Sequence, residues 1–102
     1  MDEARASQSR RPRLGQLVTS RAGRDTGHAY LVVGVRPDGW VLVADGEHRP
    51  QARAKAKNPR HLWLHDRVAE GVSARLANQQ AVTDGELAAA LKALLAELNG
   101  AG

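Results

Sequence analysis

The fold is decided by residues 14–45, which read LGQLVTSRAGRDTGHAYLVVGVRPDGWVLVAD. Three apolar runs rich in β-branched side chains, at 14–20, 28–35 and 40–45, predict three short strands. The RPDG sequence at 36–39 is typical of a turn, because its proline fixes φ for a turn corner and its glycine tolerates positive φ. The segment therefore predicts one strand followed by a β-hairpin.

A fourth short strand is predicted at 61–65 (HLWLH), with its leucines on one face and Trp63 on the other. Before it, residues 49–60 (RPQARAKAKNPR) carry five basic side chains and no acid, and we expect a long exposed loop there. Short strands that are close in sequence and joined by turns suit a small antiparallel barrel better than an open sheet with two long edges. The sequence thus predicts a mainly β (α+β) fold.

The apolar period changes after this barrel segment. Val68, Val72 and Leu76 recur at every fourth position and predict a short helix that ends near residue 77 or 78. A barrel of about fifty residues is marginal alone. We therefore expect the remaining C-terminal residues to supply a further packed element.

That element is a second helix, predicted at 84–98. Thr83 and Glu86 form a capping-box pattern at its start. The side chains predicted on its apolar face are Leu87, Ala90, Leu91, Leu94 and Leu98. Those predicted on its opposite face are Ala88, Lys92 and Ala96. The helix can dock on its own barrel or on a partner, and we expect its own barrel.

The 102-residue chain is expected to hold one domain. Residues 1–13 have no periodic apolar face and are predicted to be a disordered basic arm, residues 14–66 the barrel, and residues 67–102 a helical extension packed on it. There is no apolar run of about 18 residues, no signal-peptide pattern and no cysteine, so we expect neither a membrane span nor a disulfide framework. A cytoplasmic location is the expectation.

Positive charge is concentrated in the front of the chain. Residues 5–60 contain twelve Lys or Arg and four Asp or Glu, whereas residues 61–102 contain three and five. The formal net charge of the whole chain is +4. This asymmetry favours a polyanionic partner for the front half, although a basic surface also serves solubility.

Catalytic patterns are weak in this sequence. The DGEH stretch at 45–48 offers metal-ligand types, but His61 and His65 on a strand would be about 13 Å apart and would not share an ion. GRDTGH lacks the final Gly-Lys-Ser/Thr of a phosphate-binding loop, and no serine lies in a nucleophile elbow. We therefore expect no enzymatic activity, no cofactor or metal ion, and no small-molecule substrate.

Several stretches carry a family resemblance. Residues 15–18 (GQLV), 23–28 (GRDTGH) and 30–33 (YLVV) resemble a KOW motif, which couples two strands through a glycine-containing loop in ribosomal proteins and NusG-type elongation factors. With LVADGEHRP at 42–50 and HLWLHD at 61–66, the series is similar to bacterial KOW-domain proteins related to the fourteen-e family of archaeal and eukaryotic large-subunit ribosomal proteins. The resemblance implies an SH3-like barrel and an RNA-binding, ribosome-associated role. It covers the barrel segment well and the C-terminal helices more loosely.

The candidate RNA contacts lie in two basic loops. In the loop at 21–27, glycines let the backbone approach a phosphate, and arginines meet phosphates with bidentate geometry, whereas Asp25 is expected to cap backbone amides or orient Arg24. In the segment at 49–60, alternation with alanine would place charges about 6.6 Å apart along one side. The alternative for both loops is a solvated surface. The candidate residues are Arg21, Arg24, Arg49, Arg53, Lys55, Lys57 and Arg60.

Aromatic residues are few. Tyr30 and Trp40 are expected in the core, and Trp63 is either a stacking platform or the seat of the C-terminal helix, of which we expect the seat. This scarcity favours recognition of folded RNA by shape and phosphates over base reading. We therefore expect ribosomal RNA as the partner, with ribosomal proteins as further partners. The alternative function is a protein-interaction barrel that engages the transcription or translation machinery.

Overall fold

A computed structural model describes residues 11–100 as an α+β domain with a five-stranded antiparallel sheet and two helices. Residues 1–10 of the predicted N-terminal arm lie outside the described part. The strands are β1 (Gln16–Ser20), β2 (Ala29–Val35), β3 (Val41–Ala44), β4 (Lys55–Lys57) and β5 (Leu62–Val68). The helices are α1 (Glu70–Ala77) and α2 (Asp84–Gly100), and two 3₁₀ turns occupy Gln51–Arg53 and Pro59–His61.

The four strands predicted from sequence are confirmed as β1, β2, β3 and β5, and β5 extends to Val68. The predicted hairpin joins β2 to β3. In its turn the Gly39 N–H donates to the Arg36 carbonyl over 2.9 Å, and Gly39 has φ +91°, a conformation that favours glycine. Local turn chemistry therefore predicted this part of the fold correctly.

The prediction of a long exposed loop at 49–60 is wrong. The segment contains a 3₁₀ turn, strand β4 and a second 3₁₀ turn that begins at Pro59. Strand β4 pairs with β3 through Val41↔Lys57 and Val43↔Lys55. The alternation of lysine and alanine is thus the period-2 pattern of a strand whose inward side chains are charged.

The sheet order is β4-β3-β2-β1-β5, so β4 and β5 are its two edges. In a flat sheet these edges would be about 19 Å apart, given a strand spacing of about 4.8 Å. Only residues 58–61 connect them, and part of that connection is a 3₁₀ turn, which rises about 2 Å per residue. The connection is therefore too short to join the two edges of a flat sheet. The sheet is therefore strongly curled, with irregular register between Gln16 and Val18 and between Val32 and Gly34, where bulges bend strands.

Each face of the curled sheet carries its own apolar cluster. The cluster on the inner side of the curl consists of Val18, Tyr30, Val32, Val41, Val43 and Leu62. The cluster between sheet and helices consists of Leu17, Leu31, Ala44, Val72, Val82, Leu87, Leu91 and Leu94. Helix α2 therefore docks on its own sheet, as expected from the sequence.

The two tryptophans lie outside both clusters. Tyr30 is buried as expected, but the prediction that Trp40 is a core residue is wrong, because its exposed fraction is 39%. Trp40 ends the hairpin turn just before β3 begins, and its ring contacts the Arg36 guanidinium, 5.7 Å from the ring centroid. Its indole therefore lies beside a solvated turn instead of inside the sheet.

Helix α2 begins as predicted, but the face that it buries differs from the predicted one. The Glu86 N–H donates to the Thr83 hydroxyl over 3.0 Å, and the Thr83 N–H donates to the Glu86 carboxylate over 2.9 Å, which confirms the capping box. Ala88, expected on the exposed face, is only 8% exposed. The reason is Gly46, whose backbone packs so closely that an added Cβ would lie 2.9 Å from the Ala88 nitrogen and 3.2 Å from the Ala88 Cβ.

Substitution of Gly46 tests this contact. Gly46 has φ +81° and touches α2, whereas Gly39 has φ +91° and no atom within 4 Å of an added Cβ. We expect Gly39→Ala to lower the free energy of unfolding by about 1 kcal/mol, the cost of a left-handed alanine. Gly46→Ala should lose a further 1–3 kcal/mol, roughly, because the helix must shift. Urea denaturation of both variants measures the difference, and equal losses would contradict docking through Gly46.

Candidate functional site

The loop between β1 and β2 is tightly folded on itself. The Gly27 N–H donates to the Ser20 carbonyl over 2.7 Å, the His28 N–H donates to the Asp25 carbonyl over 2.9 Å, and the Thr26 hydroxyl donates to the Gly23 carbonyl over 2.6 Å. Gly23 and Gly27 both have positive φ. The loop therefore has a fixed backbone, and it presents the side chains of Arg21 and Arg24 to solvent.

The Asp25 carboxylate points inward and joins four parts of the chain. It accepts hydrogen bonds from the Ser20 hydroxyl over 2.8 Å, the Tyr30 hydroxyl over 2.6 Å and the Lys57 ammonium over 2.8 Å. The side chains of Asp25 and Lys57 are 16% and 9% exposed. The expectation that Asp25 caps amides or orients Arg24 is therefore wrong, because its side chain binds other side chains.

This network sets the charge state of its members. Burial alone would raise the pKa of Asp25, but hydrogen bonds from Lys57, Tyr30 and Ser20 outweigh it and hold that pKa well below its usual range. Burial and the neighbouring carboxylate raise the pKa of Tyr30 above its usual value. Asp25 is therefore charged, Tyr30 is neutral, and the charge of Asp25 is compensated by Lys57.

The same network explains the positions of the two lysines of β4. The Lys57 ammonium also donates to the Ser20 hydroxyl over 3.0 Å and to the Ala22 carbonyl over 3.3 Å, so its hydrogen bonds are made inside the protein. Lys55, on the same side of the strand, lies 3.5 Å from Asp25 and remains partly exposed. Lys57, a candidate phosphate contact from sequence, therefore supports the loop, whereas Lys55 is accessible from outside.

The remaining candidate residues are arginines at the surface. The Arg21 N–H donates to the His61 carbonyl over 2.9 Å, which brings the β1–β2 loop against the 3₁₀ turn that contains Arg60. Arg49 is half-buried, and its guanidinium donates to the Arg53 carbonyl over 3.2 Å. Within residues 11–100, no carboxylate forms an ion pair with any of five arginines. These are Arg21, Arg24, Arg49, Arg53 and Arg60.

The DGEH stretch forms a turn organised by Asp45. The Asp45 carboxylate accepts from the N–H groups of Glu47 and Arg49, each over 2.8 Å, and lies 2.7 Å from His28 Nε2. Burial would raise the pKa of Asp45, but these partners lower it below its usual value. A cavity of about 360 Å³ lies beside it, bordered by His28 and His48. In the described part of the chain, no group of three or more His, Cys, Asp or Glu side chains could hold a metal ion.

Trp63 is a further residue whose placement differs from expectation. It is 50% exposed, and the Arg21 guanidinium lies over its ring, 5.4 Å from the centroid. Helix α2 packs over Leu31 and Ala44 on β2 and β3, which leaves this part of edge strand β5 uncovered. The prediction that Trp63 seats the C-terminal helix is therefore wrong.

No protein-family model matches the chain, and no curated protein matches it. Among residues 11–100, no helix has the length and apolar character needed to cross a membrane. Functional inference therefore depends on the side chains that the fold brings together.

The Asp25–Lys57 contact is tested by Asp25→Asn. The variant leaves a buried ammonium without its counter-charge, and we expect the free energy of unfolding to fall by about 3 kcal/mol at neutral pH. The folded-state pKa of Asp25 lies below the unfolded value, about 3.9. Its stabilising effect is therefore complete above about pH 5 and is lost as the pH falls toward the folded-state pKa.

Urea denaturation of wild type and variant from pH 3 to pH 8 measures this dependence. The stability difference should be constant above about pH 5 and shrink below about pH 4. Asp38→Asn is the control, because Asp38 is exposed on the hairpin turn, and it should change stability far less. A difference that grows as the pH falls would contradict the assigned role of Asp25.

Proposed function

We propose that this chain binds folded RNA, ribosomal RNA in the first instance, by contacting phosphates with Arg21, Arg24 and Arg60, and that its role is binding without catalysis. One observation carries the proposal. The β1–β2 loop has a fixed backbone and exposed arginines, and its single acid, Asp25, points inward, where Lys57 compensates its charge. The expected surface of such a site is cationic, rigid and free of competing carboxylates.

The rigidity of the loop matters for affinity. Arginines on a loop with fixed backbone lose less conformational entropy on binding than arginines on a mobile one. The guanidinium group donates two parallel hydrogen bonds to a phosphate. Lys55, Arg49 and Arg53 extend the cationic surface beyond the loop, which suits the bent phosphate backbone of a folded RNA better than a single ion.

The proposal includes a finer description of the fold. We infer that the curled sheet closes as a small SH3-like barrel and that residues 15–33 form its KOW motif. Three features support this inference: the four-residue connection between the edge strands, the contact of Lys57 on β4 with Ser20 on β1, and the glycine-bracketed loop. Ribosomal RNA as the partner is supported by the sequence resemblance. A cytoplasmic location accompanies the proposal.

Two matched double variants test the proposed contacts. Arg21→Gln/Arg24→Gln and Arg36→Gln/Arg75→Gln remove the same charge, but Arg36 and Arg75 are paired with Asp38 and Glu86. The loop variant should weaken binding to a ribosomal RNA fragment about tenfold, equivalent to about 1.4 kcal/mol. The slope of log K against log salt should become shallower by about 1 for each lost phosphate contact.

Fluorescence anisotropy over a range of salt concentrations gives both quantities. The control variant should bind within about twofold of wild type at each salt concentration, because its arginines lie away from the loop and already have partners. If the two double variants lose affinity equally, binding follows net charge alone and the β1–β2 loop is not the contact surface.

A further inference from the structure

Trp63 is a large apolar side chain left half-exposed on an edge strand. Trp63 is paired with Thr19 on β1, close to the β1–β2 loop. Half of the side chain remains accessible even with the Arg21 guanidinium against it. Aromatic rings exposed beside cationic side chains are the platforms on which proteins stack unpaired bases.

The position of Arg21 is fixed by the backbone. Its backbone N–H donates to the His61 carbonyl, so the backbone of Arg21 is held against the start of β5. The adjacent 3₁₀ turn adds the exposed Arg60 and His61. The site thus combines a half-exposed aromatic ring, the Arg21 guanidinium over that ring and an exposed arginine in the neighbouring turn, which suits a base and its phosphate.

The chain contains a comparison site at which the charge of the arginine is neutralised. Trp40 is also exposed and also contacts an arginine, Arg36. There, however, Asp38 forms an ion pair with Arg36 and accepts a hydrogen bond from the Trp40 N–H over 3.0 Å. A carboxylate at that position neutralises the guanidinium and repels phosphate, so Trp40 lacks the charge complementarity present at Trp63.

We propose that Trp63 and Arg21 form a stacking site for one unpaired RNA base, with the phosphate of that nucleotide held by Arg21 or Arg60. The proposal rests on the RNA-binding function and adds a requirement on the RNA, namely a bulged, looped or terminal nucleotide next to the contacted phosphates. Recognition by stacking tolerates any base, since every base has a π face. Charge complementarity favours a nucleotide over an apolar protein segment as the occupant.

Tryptophan fluorescence reports on this site directly. The chain has two tryptophans, so in the Trp40→Phe background all tryptophan emission comes from Trp63. We would titrate this variant with a blunt-ended RNA duplex and with the same duplex closed by a loop of unpaired nucleotides. The looped RNA should quench Trp63 strongly and the blunt duplex weakly.

Affinity measurements complete the test. In the wild-type background, Trp63→Ala should weaken binding of the looped RNA about tenfold, within the range for loss of one stacked base, and leave the affinity for the blunt duplex nearly unchanged. Trp63→Phe should restore part of the loss, because phenylalanine keeps a stacking face. Trp40→Ala, the matched control, should leave both affinities unchanged.

The possible results separate this inference from the proposed function. If both RNAs bind tightly but neither quenches Trp63 nor responds to Trp63→Ala, the stacking site is refuted and RNA binding stands. If neither RNA binds, both proposals fail. If Trp63→Ala abolishes capture of a protein from a nuclease-treated extract while affinity for the looped RNA is unchanged, the surface binds protein and the stacking site is refuted.

Discussion

The ion pair between Asp25 and Lys57 joins segments that are far apart in the sequence. It connects edge strand β4 to the β1–β2 loop, and its hydrogen-bond partners Ser20 and Tyr30 add β1 and β2. Taking two charges out of water is costly, and such a pair is tolerated when geometry and further hydrogen bonds offset the desolvation. Among the described residues, no buried side-chain nitrogen or oxygen lacks a partner, so that condition is met. The pair therefore ties edge strand β4 to the β1–β2 loop.

The same pair determines what the surface presents. A loop with an uncompensated carboxylate would repel phosphates, but Lys57 compensates Asp25 from inside, and Arg21 and Arg24 are left facing outward. The basic residues of the chain are thus divided between two tasks. Lys57 stabilises the interior, whereas Arg21 and Arg24 are exposed at the surface. The Asp25–Lys57 pair therefore contributes both to the stability of the fold and to the cationic character of the loop.

Local rules predicted the strands, the hairpin and the capping box, because each depends on residues within a few positions of one another. They failed where a distant partner decides the outcome. The segment 49–60 has the composition of a solvated loop. It nevertheless contains a strand, because the partner of its inward lysines is Asp25, which lies in another loop. Helical periodicity predicts Ala88 on the exposed face of α2, but the close approach of Gly46 buries it. The apolar pattern predicts Trp63 as the helix seat, but α2 docks on the cluster around Leu17, Leu31 and Ala44 and leaves Trp63 uncovered. An acid within an otherwise basic loop, together with lysine in a strand-like alternation, was the available signal for the buried pair.

Ultraviolet crosslinking in cells would test most directly whether one surface, the β1–β2 loop with Trp63, holds folded ribosomal RNA. The crosslinked RNA would be sequenced, and the crosslinked peptides would be identified by mass spectrometry. We expect recovery of a few discrete ribosomal RNA sites, each with unpaired nucleotides, and crosslinks within residues 21–28 and 60–63. Crosslinks confined to the face of α1 and α2, or RNA recovered without enrichment of ribosomal sequences, would contradict this function for the molecule.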